Sequence, residues 1–408
     1  MKNKQINYNV ILISMLVLFP AVSNYICRVV NMVMARLIGV GFSQELFDGI
    51  VWAFVLALCI PWFATKLKAK HVFVLLCMWG AALLMAVFGL SSELTTERLV
   101  TLCLTVFPMF LVGSVLDVKK EDFKIIYWLS VIVLIVSVAY QAYKIASGDI
   151  ISEDNMDFSY KLLPAALIVI AGCFYNKYKV LSIIPAVVAI FAIIMQGTRG
   201  PVLCVAVFLV IMLIKRFGFL KLIPVILVLT IGVVAFSSSD IYESTMKSIA
   251  EFIEDIGMSP RFIEKLLEEE LADDNGRQWL YDAVLKEIEQ NPFKFRGLYA
   301  DRALLNPITG ADNAYVHNII YELLLNFGVL LGGAVFLLIV ALILLALMKL
   351  EFEKLYLVDL LVMIGFVMLF VSGSVVDNQL LYVLLGLACQ IVFKGKERKK
   401  KDEAAVDM

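Results

Sequence analysis

The chain has 408 residues, of which 62% are hydrophobic and 17% charged, and its formal net charge is -1. Mean hydropathy is +0.90, far above the range of soluble globular domains. A soluble fold is excluded, and an all-α, polytopic integral membrane protein is left.

Apolar runs fall near 9–27, 48–64, 72–90, 99–116, 125–146, 160–175, 180–196, 201–214, 222–236, 319–346, 355–372 and 380–393. A membrane-crossing helix needs about 20 apolar residues, so each run is a candidate span. Lys and Arg concentrate in alternate connections: Lys66, Lys68 and Lys70; Lys119, Lys120 and Lys124; Lys177 and Lys179; Lys215, Arg216 and Lys221; Lys349 and Lys354. The remaining connections are poor in Lys, and 372–379 has neither Lys nor Arg. About 12 transmembrane helices with both chain ends in the cytoplasm satisfy every loop under the positive-inside rule. Lys2 and Lys4 precede the first run, and Ala21-Val22-Ser23 resembles a cleavage site; the topology works with this helix retained. Residues 28–47 read as an interfacial helix on the outer face.

This layout divides the chain into residues 1–236 (helices 1–9), an outer loop over 237–318, residues 319–393 (helices 10–12) and a basic cytoplasmic tail over 394–408. The tail carries Lys394, Lys396, Arg398, Lys399, Lys400 and Lys401, and disorder is expected beyond Lys401. The outer loop between helices 9 and 10 is charged and helix-forming. Ile249, Phe252, Ile253 and Ile256 predict an amphipathic helix over 240–256. Ser259-Pro260 opens a second helix, which runs to about Leu271. After Asn275-Gly276 a third carries Leu280, Val284, Leu285 and Ile288 on its apolar side and stops at Asn291-Pro292. From Phe293 to Asp312 the pattern is irregular, with Gly297, Pro307 and Gly310. These helices would form a cap on the outer membrane surface.

The seven cysteines are scattered, mostly within apolar runs, and offer no disulfide framework. His317 is one of two histidines. It stands where the outer loop meets the apolar run from Ile319 to Met348, in which Glu322 is the only charge. An imidazole with an unperturbed pKa near 6.5 suits a general base. Asn313 and Tyr321 lie one helical turn either side and are placed to orient it. No second His or Cys accompanies His317, which argues against a metal site. His71 follows the cytoplasmic lysines and reads as structural.

Arg199 lies in Gln196-Gly197-Thr198-Arg199-Gly200-Pro201 between two apolar runs. The flanking glycines allow close backbone approach to a ligand, and a guanidinium pairs with phosphate in bidentate fashion. The competing reading is an arginine snorkelling beside a tight turn. Arg277 opens the third loop helix, where the helix N-terminus also favours anions; taken alone it reads better as a surface arginine paired with a nearby Asp. Arg296 and Arg302 add cations before His317, though each singly could merely balance the acidic loop. That acidity excludes a nucleic-acid partner. Guanidinia to hold a diphosphate and a base to deprotonate a sugar hydroxyl suit a polyprenyl-diphosphate donor.

Gly197-Thr198-Arg199-Gly200 at a span junction resembles the first signature of the O-antigen ligase/polymerase superfamily. A long outer loop with Arg277, Trp279, Asn291-Pro292 and Gly297 resembles the second. His317-Asn318 opening the next span, with Gly328 beyond, resembles the third. The resemblance covers residues 160–350. It implies a metal-independent inverting glycosyltransferase without cofactor, in the bacterial cytoplasmic membrane, with its site on the outer face. The donor would be an undecaprenyl-diphosphate-linked glycan, and the acceptor a glycan or lipid-linked glycan among membrane lipids; a chain-length regulator is an open partner. Arg199 and Arg277 would hold the diphosphate and His317 would activate the acceptor, with Arg296, Arg302, Asn318 and Tyr321 as substrate-binding candidates. Polymerisation of repeat units of an O-antigen, capsule or exopolysaccharide is the favoured activity, and ligation to lipid A-core the alternative. A lipid-linked oligosaccharide flippase or transporter is the rival from another class. Charges at helix ends and one dominant outer loop favour the enzyme over that rival.

Overall fold

The first apolar run does not continue as one rod. Helix α1 (Tyr8–Val17) passes at once into α2 (Phe19–Ile38), and Tyr8–Val17 and Phe19–Asn31 are bent by 62° to each other. Pro20 cannot donate the hydrogen bond a continuous helix needs, but it fits the first turn of a new one.

The computed structural model describes residues 7–38, 43–88, 94–117, 119–146, 155–175, 179–194, 198–218, 277–311, 314–350 and 356–406, with isolated positions at 41 and between 244 and 255. Next in the chain are α3 (Gln44–Lys66), α4 (Ala69–Val87) and α5 (Thr96–Thr101), which continues through a π-helical turn, Leu102–Val106, towards α6 (Met109–Val115). Four further helices follow: α7 (Lys120–Ala146), α8 (Asn155–Tyr175), α9 (Lys179–Ile194) and α10 (Arg199–Phe217). The later described residues form α11 (Gln278–Gln290), α12 (Ala300–Thr309), α13 (Ile319–Lys349), α14 (Tyr356–Gly365), a 3-10 turn at Val367–Phe370 and α15 (Gln379–Val406).

Among the described residues seven helices are long and apolar enough to cross a membrane, or up to eight if the bent α1–α2 pair is one span. The expected number was 12. Val180–Ile194, Tyr356–Phe370 and Gln379–Phe393 are apolar but shorter, and the run 222–236 lies outside the described residues. So do the predicted helix over 259–271 and most of the one over 240–256, where 244, 245, 247, 248, 250, 251 and 255 are described and helical. The protein is therefore a multi-pass helical membrane protein. α15 continues through Val406, where a disordered tail was expected; the Lys, Glu and Ala there are good helix formers.

The chain divides into two compact units, Met1–Trp62 with Lys119–Ala272 and Phe63–Val118 with Asp273–Met408. In the first, α8 is the central helix: Leu162, Leu163 and Ala165 to Ala171 are buried. Buried Asp122, in the first turn of α7, accepts hydrogen bonds from Asn7 (2.7 Å) and Asn9 (3.3 Å). α10 begins tightly against α8, since a Cβ at Gly200 would lie 2.4 Å from the Tyr160 hydroxyl oxygen.

The second unit is held by helices packed backbone to backbone. A Cβ at Gly386 of α15 would lie 2.1 Å from the Phe110 carbonyl oxygen of α6, and one at Gly365 of α14 would lie 2.8 Å from that of Leu380. In lipid there is little hydrophobic drive between helices, so such close approach at small residues carries the packing. His71 accepts from the Lys68 amide at 3.3 Å at the start of α4, a structural role as expected.

Two features of this unit depart from expectation. The stretch Phe293 to Asp312 is not irregular throughout, because α12 lies inside it. Gly310, at φ 70°, terminates that helix in the left-handed conformation glycine adopts readily. The apolar run from Ile319 is also broken. Gly328 (φ 76°, ψ 166°) leaves helical geometry, and a Cβ at Gly332 would fall 2.3 Å from the Leu323 carbonyl oxygen, so the chain doubles back on itself. The Val329 amide donates to the Pro292 carbonyl at 2.7 Å, which ties the break to the end of α11. The part after Gly328 still suffices to span a bilayer, at ~1.5 Å per residue against a hydrocarbon core of about 30 Å.

Candidate functional site

Asn318 builds the local frame. It caps α13 from an extended conformation, its side-chain oxygen accepting from the amides of Ile320 (2.9 Å) and Tyr321 (3.3 Å). The residue before it, His317, is left-handed at φ 55°. Tyr299, which precedes α12, is left-handed at φ 63°. These are the non-glycine residues with positive φ among the described residues. Such strain persists only where the surroundings over-determine it, and it concentrates at functional sites.

The surroundings here are a buried charge cluster. Arg302 contacts Asp301 (2.7 Å), Asp377 (2.8 Å) and, at 3.8 Å, Glu322. Its guanidinium lies 5.0 Å from the centre of the Tyr299 ring and 5.2 Å from that of Tyr315. The Tyr299 hydroxyl donates to Asp377 at 3.0 Å, and the Val316 amide donates to Asp301 at 3.3 Å. Glu322, fully buried, accepts from the Ser374 hydroxyl (2.6 Å) and the Val375 amide (2.8 Å). Burial works against the Arg302 charge, but the surrounding carboxylates outweigh it and hold the group above its ordinary pKa. Burial, helped by the nearby Asp377 charge, also pushes the Tyr299 phenol up, so it stays protonated.

His317 sits beside this cluster. Its ring centre is 3.8 Å from that of Tyr315, and its Nδ1 is buried without a hydrogen-bond partner. Burial lowers its pKa from 6.5 to about 4, and the charges of Arg277 and Arg302 add to the effect. The neutral-pH titration expected for a free imidazole is therefore absent: the ring is neutral throughout the physiological range. Arg277, at the start of α11, donates from one guanidinium nitrogen to the Val371 carbonyl. That is its one hydrogen bond among the described residues.

The other candidates are placed as follows. Arg296 donates to the Glu287 side chain (2.8 Å) and to the carbonyls of Glu287, Lys294, Asn291 and Leu325, joining α11 to the first part of α13. Asn318 spends its oxygen on the helix cap and donates to the Phe370 carbonyl at 3.5 Å. The Tyr321 ring packs 5.3 Å from that of Tyr281 on α11, and the ring that meets His317 is Tyr315. Arg199 belongs to the first unit, where it opens α10; its side chain lies outside the described residues, as does Asn313. Thr198 beside it is buried, and its hydroxyl lacks a hydrogen-bond partner.

Sequence reasoning singled out His317 and Arg277 but missed Asp301, Ser374, Asp377, Tyr299 and Tyr315. Two signals pointed towards them. Glu322 is the lone charge of an apolar run, and a charge in such a run marks function by default; the connection 372–379 has a single acidic residue, Asp377, and no Lys or Arg.

A family model described as O-Antigen ligase matches residues 184–337. Over that stretch the chain is similar to the O-antigen ligase/polymerase superfamily, in agreement with the resemblance of its motifs. That similarity is to a family of glycosyltransferase-type membrane enzymes. The matched stretch contains Arg199, Arg277, Arg296, Arg302, His317 and Glu322, while Ser374, Val375 and Asp377 lie beyond it. No curated protein matches the chain, and no solved structure matches it.

Proposed function

We propose that this protein transfers a glycan from an undecaprenyl-diphosphate carrier to a sugar hydroxyl on the outer face of the bacterial cytoplasmic membrane, with inversion at the anomeric carbon. The observation that carries the reading is a neutral imidazole near a guanidinium: His317, whose Nδ1 has no hydrogen-bond partner among the described residues, and Arg277, which makes one hydrogen bond among them. The acceptor oxygen attacks the anomeric carbon, and the bond from that carbon to the diphosphate oxygen breaks. His317 takes the acceptor's proton, and Arg277 holds the charge that builds on the departing diphosphate. No metal is required in this scheme, since guanidinium charge takes the leaving-group role.

The family resemblance gives Arg199 the same diphosphate-binding role. Arg302 has a different one: its donors are spent on carboxylates, so it keeps the base neutral rather than gripping phosphate. Arg296 likewise serves the fold.

Repeat-unit polymerisation is the favoured reaction. Ligation to lipid A-core or another acceptor is the second reading, favoured by the description of the matched family model. The size distribution of carrier-linked glycan in cells with and without the gene separates them. Single repeat units accumulating on the lipid when the gene is lost mean polymerase. Long chains stranded on the carrier mean ligase. No change in either pool would overturn both and restore the transporter.

A further inference from the structure

The residues just described share one support that lies outside the family-matched stretch. It is the segment from Phe370 to Asp377, between the 3-10 turn and α15. The Phe370 carbonyl accepts from Asn318, the neighbour of His317. The Val371 carbonyl accepts from Arg277. Ser374 and Val375 donate to buried Glu322. Asp377 binds both Arg302 and the hydroxyl of strained Tyr299. Five of these eight consecutive positions thus engage both residues assigned to chemistry, directly or through a neighbour, and both left-handed residues or the groups beside them.

Such a contact set is more than loop docking requires. Asp377 is about half exposed (49%) and nonetheless holds two partners at 2.8 and 3.0 Å. A solvated carboxylate loses little by turning to water, so its engagement with Arg302 and Tyr299 reflects a fixed loop. Glu322 contributes from the other side: the first turn of α13 begins beside His317, and the Glu322 amide closes that turn on the Asn318 carbonyl at 3.0 Å. Preorganised sites need this kind of supporting shell, since reacting groups must be held within about 0.5 Å of productive geometry.

We propose that the 370–377 segment is a structural part of the transfer site, with Asp377 and Glu322 as positioning residues that set His317 and Arg277 against the bound donor. The inference rests on the glycosyl-transfer reading, and it makes both residues determinants of turnover rather than of donor affinity.

The test uses the full-length protein in lipid nanodiscs with a polyprenyl-diphosphate-linked oligosaccharide, with rates expressed per folded molecule. Asp377→Asn leaves the fold intact because the side chain is half exposed, and it lowers kcat on the order of 10- to 100-fold, as small misplacements of reacting groups do. KM for the donor stays within about threefold, because Arg277 still presents its fork. Asp377→Glu, which retains the charge, recovers most of the loss. Glu322→Gln gives the same kcat-weighted defect, and Ser374→Ala, which deletes one hydrogen bond to Glu322, gives a milder one. A merely structural role predicts less folded protein with unchanged kcat per folded molecule, and that result would overturn the proposal. So would a rise in KM at constant kcat. His317→Ala, measured alongside, separates the two ideas. If it abolishes transfer while Asp377→Asn and Ser374→Ala are both normal, the positioning role fails and the glycosyltransferase reading stands. If the wild type transfers nothing, that reading fails.

Discussion

Titration of His317 tests the electrostatics of the site without reference to any substrate. Its pKa is about 4, against 6.5 for an ordinary imidazole. The difference corresponds to roughly 3 kcal/mol in favour of the neutral ring, an upper figure because the ring is only partly buried and solvent screens its neighbours. The folded-state value is depressed, so between about pH 4 and 6.5 the folded protein holds fewer protons than the unfolded chain. The stabilisation is therefore complete above about pH 6.5 and is lost as pH falls towards about 4. With only two histidines in the chain, histidine-selective isotope labelling gives two ring signals, and His317→Gln assigns them. The expected midpoint lies near 4. Arg277→Gln raises it by removing a like charge, and inorganic pyrophosphate, held by the same guanidinium, moves it in the same direction. A midpoint near 6.5 that ignores both perturbations would refute the burial of His317 within reach of the Arg277 and Arg302 charges.

Arg277→Ala and Arg302→Ala should fail in different ways. The first abolishes product with expression and topology intact, whereas the second strands three carboxylates and destabilises the fold by about 3–5 kcal/mol, read as a loss of thermal stability in detergent. Arg199→Lys should be impaired in transfer, because an ammonium cannot reproduce the bidentate fork; full activity would support a snorkelling arginine instead. Gly328→Ala should destabilise the protein by roughly 1–3 kcal/mol or more, since its backbone is accessible to glycine alone and a Cβ would meet the Phe293 backbone at 3.0 Å. An unchanged melting temperature in that variant would contradict the break in α13.

The parts of this architecture that were legible in the sequence are those with local signatures. Hydropathy marks the membrane helices, and the spacing of Leu280, Val284 and Ile288 marks α11, all three being buried. The proximity of Arg277 and His317 was legible only as a resemblance, since composition does not bring together residues from different segments. The charge cluster was not legible. Arg302 and Asp377 are 75 positions apart and Glu322 and Ser374 are 52 apart, and such pairings leave no periodicity. For the same reason Arg296 and Arg302 looked like phosphate ligands: a sequence shows their charge but not the carboxylates that occupy them. The break at Gly328 was hidden because an apolar run reads alike whether it continues or folds back. α12 was missed because Gly297 and Gly310 suggested irregular chain, although Gly310 in fact marks the helix end.

The most direct test of the central claim is a reconstituted transfer assay with purified protein, polyprenyl-diphosphate-linked oligosaccharide and no other enzyme. The account predicts that glycan leaves its carrier, that free polyprenyl diphosphate appears in equal amount, and that His317→Ala lowers the rate by roughly 10²- to 10⁴-fold, as loss of a general base does. Glycan that crosses the bilayer with its diphosphate linkage intact, or release that proceeds normally without His317, would contradict it.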